Sequence, residues 1–120
     1  MRLTILLYIL KLKLVHAARK RAGFQSMLRK QDYTLVIRTA DGKRSRFFTF
    51  DGGDVVSKNG LHPSPDVELV WCDAGTAFRA LIAGDDKAVV QAIGRSQLKI
   101  EGNLGYFFWF GDVLKEMMGA

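Results

Sequence analysis

Chemistry in a protein needs a nucleophile, a base or a metal ligand brought to one place, and this chain has few residues of those kinds. They are His16, His62, Cys72, the acid pairs Asp51/Asp54 and Asp85/Asp86, and the glycine turn Gly102-x-x-Gly105. His16 falls in a basic, apolar segment and His62 stands directly before Pro63, so a His–Cys dyad or a zinc site would require distant segments to converge. Turn formation accounts for Asp51-Gly52-Gly53-Asp54, and helix capping for Asp85-Asp86. Gly102-x-x-Gly105 joins an apolar run to a helix as phosphate loops do, yet it lacks the longer glycine spacing and the lysine of a Walker loop. It reads as a turn. Cys72, at a strand end, reads as a small buried hydrophobe. No catalytic residue, metal ligand or cofactor is expected, and the chain reads as a non-enzyme.

The elements that would position any site come from length, charge and periodicity. At 120 residues the chain is one domain, large enough to bury a core and to leave room for a modest cavity. A single cysteine excludes an intrachain disulfide and favours a reducing, cytoplasmic setting. Lys+Arg at 18 exceed Asp+Glu at 12, for a net charge of +6. The excess lies early: Arg2, Lys11, Lys13, Arg19, Lys20, Arg21, Arg29 and Lys30 all precede the first acid, Asp32.

Leu3 to Leu10 is apolar but for Thr4 and is then broken by Lys11 and Lys13, well short of the roughly 20 residues a membrane span needs. Val15-His16-Ala17-Ala18, with lysines just upstream, is a poor signal-peptide cleavage site. Read as a helix, residues 2–21 carry apolar groups on most sides. Such a helix packs on a sheet or partner, or lies on an anionic membrane surface peripherally. In the second case Lys11, Lys13, Arg19, Lys20 and Arg21 meet head groups at about 1 kcal/mol each. No zinc-finger spacing or aromatic–basic motif accompanies these cations, so nucleic acid is not an expected partner. Residues 1–30 are thus expected to be a basic, apolar helical extension packing on a domain of residues 31–120.

From Tyr33 the period changes to two. Tyr33, Leu35 and Ile37 share one strand face, Ala40-Asp41-Gly42-Lys43 makes a turn, and Ser45 to Phe50 returns as a hairpin arm. A short strand over Val55 to Lys58 follows, and Val67, Leu69 and Trp71 mark a fourth. Asp73 or Thr76 can cap a helix carrying Phe78, Leu81 and Ile82 as far as Gly84, and Val89, Val90 and Ile93 mark another that stops near Gly94. Leu98 and Ile100 form the last strand before a helix from about Leu104 to Met118. This helix carries two apolar stripes. Leu104, Phe107, Phe108, Leu114 and Met118 make one, and Tyr106, Trp109, Phe110, Val113 and Met117 the other. One can face the sheet; the other needs cover from a ligand, a partner, a membrane or the N-terminal helix.

Three segments in order resemble the sterol carrier protein 2 family of small lipid-binding domains. They are Asp54 to Gly60 with Pro63 to Cys72, Phe78-x-x-Leu81-x-x-Gly84, and Leu98-Lys99-Ile100-Glu101-Gly102-Asn103-Leu104-Gly105. The similarity spans roughly residues 30–118. It implies an α+β fold, a five-stranded, mainly antiparallel sheet with helices packed on one face, here with an N-terminal helix extension. It also implies an apolar tunnel between sheet and helices that takes sterol-like, fatty-acyl or isoprenoid ligands, without catalysis.

Burying a CH₂ contributes about 0.8 kcal/mol, so a sixteen-carbon chain gains on the order of 12 kcal/mol gross, against about 4–15 kcal/mol for association. Inward positions expected to wall such a tunnel are Phe48, Phe50, Leu69, Trp71, Phe78, Leu81, Ile82, Ile93, Leu98, Ile100, Leu104, Phe107, Phe108 and Leu114, each of which would serve equally as ordinary core. The aromatic run Tyr106 to Phe110 leaves a second expectation open. Its rings fill the tunnel, and the domain is an interaction module whose last helix docks a partner protein or a second copy.

Overall fold

The computed structural model describes residues 2–83 and 86–119, with the backbone alone for residues 2, 82–83, 86 and 118–119. Gly84 and Asp85, and the side chains of Ile82, Asp86 and Met118, therefore lie outside the described residues. The alternating segments become Tyr33–Thr39 (β1), Ser45–Asp51 (β2), Asp54–Asn59 (β3), Val67–Trp71 (β4) and Leu98–Gly102 (β5). The helices are Arg2–Lys20 (α1), Ala22–Leu28 (α2), Ala74–Ala83 (α3), Asp86–Gly94 (α4) and Leu104–Gly119 (α5). The chain has the expected α+β architecture, with one five-stranded sheet in the order β3-β2-β1-β4-β5. β1 pairs antiparallel with β2 and parallel with β4, and the pairs β2/β3 and β4/β5 are antiparallel. A central strand is covered on both faces, and β1 is buried at every position but Arg38.

Local chemistry fixes each turn. In the β2–β3 hairpin Gly52 and Gly53 take φ of +59° and +92°, the left-handed pair that a two-residue loop matched to strand twist requires. The parallel partner is fastened by Asp66. Its Oδ2 accepts from the Thr34 amide at 2.7 Å, and its own amide donates to the Thr34 carbonyl at 2.9 Å. Gly102, at φ +93°, passes so close to this point that a Cβ there would collide with the Asp66 carbonyl oxygen. The chain then turns directly into α5, whose first turn is capped by Asn103 Oδ1 accepting from the Gly105 amide at 2.9 Å.

The helix-facing side of the sheet and the helices share one core. Leu3, Leu7 and Leu14 of α1, Phe24 and Leu28 of α2, and Phe110 and Val113 of α5 join Leu35, Ile37, Phe48 and Leu69 in it. On the other face Arg38 reaches Glu68 at 2.8 Å and Glu101 at 3.8 Å. α1 contacts α3, β2 and β3. It seats over Arg46, a buried cation whose Nε donates to Ser57 Oγ at 2.8 Å and whose guanidinium lies 5.5 Å from the centre of the Tyr8 ring. Burial pushes the Arg46 pKa down. The long helix is interrupted at Arg21, which leaves helical geometry (φ −118°, ψ 101°). Its guanidinium donates to the Glu116 and Met117 carbonyls at 3.0 and 3.2 Å, so a cation meets the negative end of α5.

Asp73 caps α3, with Oδ1 accepting from the Thr76 amide at 2.7 Å. That backbone hydrogen bond holds its carboxyl below the usual carboxylate range. A group depressed in this way stabilises the fold fully above its unfolded pKa and loses that contribution as pH falls through the folded one. Asp73→Ala is therefore expected to cost about 1 kcal/mol at neutral pH. The gap between variant and wild type, read from urea midpoints, should shrink in acid; a gap that does not change with pH would contradict the cap.

Candidate functional site

The two stripes of α5 meet different surroundings. Tyr106 stacks on Tyr33 with ring centres 4.6 Å apart, Tyr33 stacks on Phe50 at 4.7 Å, and Trp109 stands edge-on to Tyr33 at 5.4 Å. Phe110 lies against Phe48 and Phe50, and Val113 is fully buried. This stripe is therefore packed onto β1 and β2. The Tyr33 hydroxyl at its centre is buried with no hydrogen-bond partner among the described residues, and desolvation drives its pKa far up, so it stays neutral.

The other stripe looks toward β4 and β5, and there the sheet and helices do not close. A cleft of about 890 Å³ remains. Its floor is Leu69 and Trp71 of β4, Leu98 and Ile100 of β5, and Ile37 of β1. Leu81 of α3 and Val89, Val90 and Ile93 of α4 form one wall, and Leu104, Phe107, Phe108, Phe110, Gly111 and Leu114 of α5 the other. Val90, Ile93, Leu104 and Phe108 are 65%, 41%, 51% and 61% exposed, so the mouth is apolar and opens to solvent. The charged residues on the wall are Lys99, Glu101, Asp112 and Lys115, all exposed.

Of the positions expected to wall a tunnel, Leu69, Trp71, Leu81, Ile93, Leu98, Ile100, Leu104, Phe107, Phe108 and Leu114 come together here. Phe48 and Phe50 do not line it: they are buried in the core against Phe110 of α5, on the β2 side of the sheet. Phe78 is half-buried on α3 and off the wall. The side chain of Ile82 lies outside the described residues. The aromatic run does not fill the space, because Tyr106 and Trp109 turn toward Tyr33 and only Phe107, Phe108 and Phe110 border the cleft.

The other candidate residues are dispersed. His16 is exposed on α1, and His62 sits in the β3–β4 loop, where its Nδ1 accepts from the Ser64 amide at 3.1 Å. Cys72 is exposed rather than buried, because β4 ends at Trp71 and the next residue points away from the core toward Asp73. Among the described residues no group of three or more His, Cys, Asp or Glu side chains could hold a metal ion. On α1, Lys13, Arg19 and Lys20 are exposed, Lys11 lies over the Tyr8 ring at 5.6 Å, and Arg21 is tied to α5.

No protein-family model and no curated protein sequence matches this chain. Solved structures do. The ubiquinone synthesis protein UbiJ-SCP2 is similar at TM-score 0.66 and 15% identity, over 92% of this chain and 90% of that one. Sterol carrier protein 2 from Yarrowia lipolytica, in its apo form, is similar at TM-score 0.65 and 17% identity, over 93% of this chain and 91% of its own. The chain adopts the sterol carrier protein 2 fold. The sec-alkylsulfatase Pisa1 from Pseudomonas sp. is also similar, at TM-score 0.51 and 22% identity, but the match spans 79% of this chain and only 14% of the sulfatase.

Within this SCP2-like fold, sequence reasoning missed Gly111. A glycine in mid-helix gives no periodic signal, yet it lies on the cleft wall, and a Cβ built there meets nothing within 4 Å. Gly111→Ala should therefore stabilise the protein by about 1 kcal/mol through helix propensity alone. Gly111→Phe is expected to keep the melting temperature while weakening uptake of a fluorescent acyl probe by more than about tenfold, a loss of roughly 1.4 kcal/mol. Undiminished uptake in a folded Gly111→Phe protein would place the probe elsewhere.

Proposed function

We propose that the chain is a non-enzymatic lipid-binding domain that holds an apolar chain or ring system in the cleft between α5, α4 and the β4–β5 half of the sheet. One observation carries this reading: an open cleft of about 890 Å³ with aliphatic and aromatic walls, beside a core of buried side chains. A space of that size suits a small-molecule ligand, and apolar burial alone supplies the affinity. The sterol carrier protein 2 fold supports it, and so does the scatter of His16, His62 and Cys72 over separate elements. The competing reading, an interaction module, has the exposed Leu104 and Phe108 in its favour.

The proposal includes delivery at an anionic membrane surface through α1. No helix among the described residues is long and apolar enough to cross a membrane. The outer face of α1 nevertheless carries Ile5, Tyr8, Ile9 and Leu12 at helical spacing, between 42% and 58% exposed, and continues into exposed His16, Arg19 and Lys20. An apolar ridge flanked by cations suits the interface of an anionic bilayer.

Protein purified from cells and extracted with organic solvent should release a lipid in stoichiometric amount. A clean extract would favour the interaction module. For the membrane step, deleting residues 1–21 would also remove Leu3, Leu7 and Leu14 from the core, so charge reversal is the cleaner test. The variant Lys13→Glu/Arg19→Glu/Lys20→Glu should lose more than about tenfold in co-sedimentation with phosphatidylserine vesicles while keeping its lipid. Equal sedimentation of both proteins would remove the membrane role.

A further inference from the structure

The sheet ends at β5, and the pairing of that strand fixes which of its backbone groups are already used. β4 and β5 run antiparallel with Leu69 opposite Ile100. At one end the Cys72 amide donates to the Gln97 carbonyl at 2.8 Å, and at the other the Asn103 amide donates to the Asp66 carbonyl at 2.9 Å. Hydrogen-bonded pairs recur at every second residue of such a ladder, so Lys99 and Glu101 turn their N–H and C=O groups to β4. Leu98, Ile100 and Gly102 turn theirs outward. No strand takes them, since β5 is the last in the order β3-β2-β1-β4-β5. Leu98 is covered at 2% exposed, but Ile100 is only half-buried and Gly102 is exposed. The strand at the opposite edge, β3, has α1 against it.

An open edge of this kind is a template for another strand, and the side chains flanking it select which one. Lys99 and Glu101 share the sheet face away from the helices, where Glu101 stands 3.8 Å from Arg38 and Lys99 has no ion pair among the described residues. We infer that the β5 edge pairs antiparallel with the β5 edge of a second copy, centred on Ile100. In that register Lys99 lies opposite the partner's Glu101, and Glu101 opposite the partner's Lys99. The outward N–H and C=O of Ile100 meet those of the partner's Ile100 in two reciprocal hydrogen bonds. The adjacent registers that also match outward groups set Lys99 on the partner's Lys99, or Glu101 on the partner's Glu101. Charge therefore selects one register. The cleft reaches the same edge, because Lys99, Ile100 and Glu101 border it. Pairing thus sets two apolar mouths side by side, with the exposed Leu104 just past β5 and Phe108 one turn further along α5. This goes beyond the lipid-binding reading and does not rest on it.

The test measures the mass of the full-length protein by sedimentation equilibrium at concentrations up to about 1 mM, where even a weak pair is populated. The wild type should form dimers. Lys99→Glu and Glu101→Lys, each of which sets like charges opposite one another across the junction, should weaken pairing by about tenfold or more. An equimolar mixture of the two folded variants should restore it, because one edge is then wholly acidic and the other wholly basic. Hydrogen exchange locates the contact: exchange of the Ile100 amide should slow as concentration rises, while the Lys99 amide, already bonded to β4, should not change. A wild type that stays monomeric, which needs no variant to fold, would overturn the inference. So would a dimer that ignores both charge variants, a mixture that stays monomeric, or an Ile100 amide whose exchange does not depend on concentration. Each of these results leaves the lipid-binding reading to its own test, the solvent extract.

Discussion

The structure depends on how α5 divides its apolar surface. Nearly every side chain from Leu104 to Phe110 is large and apolar, more than one face of a sheet can cover. The contact that settles the division is the ring stack Phe50–Tyr33–Tyr106, with centres 4.7 and 4.6 Å apart and Trp109 closing its edge. Aromatic pairs of this kind contribute about 0.5–1.5 kcal/mol each beyond the area they bury. They draw one stripe of α5 onto β1 and β2 and leave the other facing β4 and β5 across a gap. α3 and α4 border that gap without filling it, and Gly111 withholds the side chain that would begin to do so.

A similar division governs α1. Leu3, Leu7, Leu14, Ala17 and Ala18 are buried in the common core, and Arg21 closes the far end of α5. The helix is thus part of the packed structure, yet Ile5, Tyr8, Ile9 and Leu12 still face outward. The cationic bias of the first thirty residues is spread unequally between these tasks. Arg21 is committed to a structural contact, whereas Lys13, Arg19 and Lys20 remain on the surface.

Much of the fold was legible because it is written locally. Period-two alternation marked the strands, Asp51-Gly52-Gly53-Asp54 marked a turn, and Asp73 or Thr76 marked a helix start, which the structure resolves to Asp73; in each, the deciding contact lies within a few residues. The parallel pairing of β1 with β4 had no such signal, since it depends on Asp66 reaching Thr34 across more than thirty residues. Inward positions were legible as apolar, but whether each met core or empty space was not. Phe50 and Leu98 have the same pattern, and only the placement of α5 separates them. Cys72 was misread as buried because the last turn of an alternating pattern does not reveal where the strand stops. Gly111 carries meaning only in three dimensions, through the absence of a neighbour.

The central claim is that the gap beneath the second stripe of α5 receives the ligand. Methyl NMR with a spin-labelled acyl chain tests it directly. Signals from Ile93, Leu98, Leu104 and Leu114 should broaden on addition of the chain while those of Leu3, Leu7 and Leu28 persist. Broadening confined to Ile5, Ile9 and Leu12 on the outside of α1 would contradict the account.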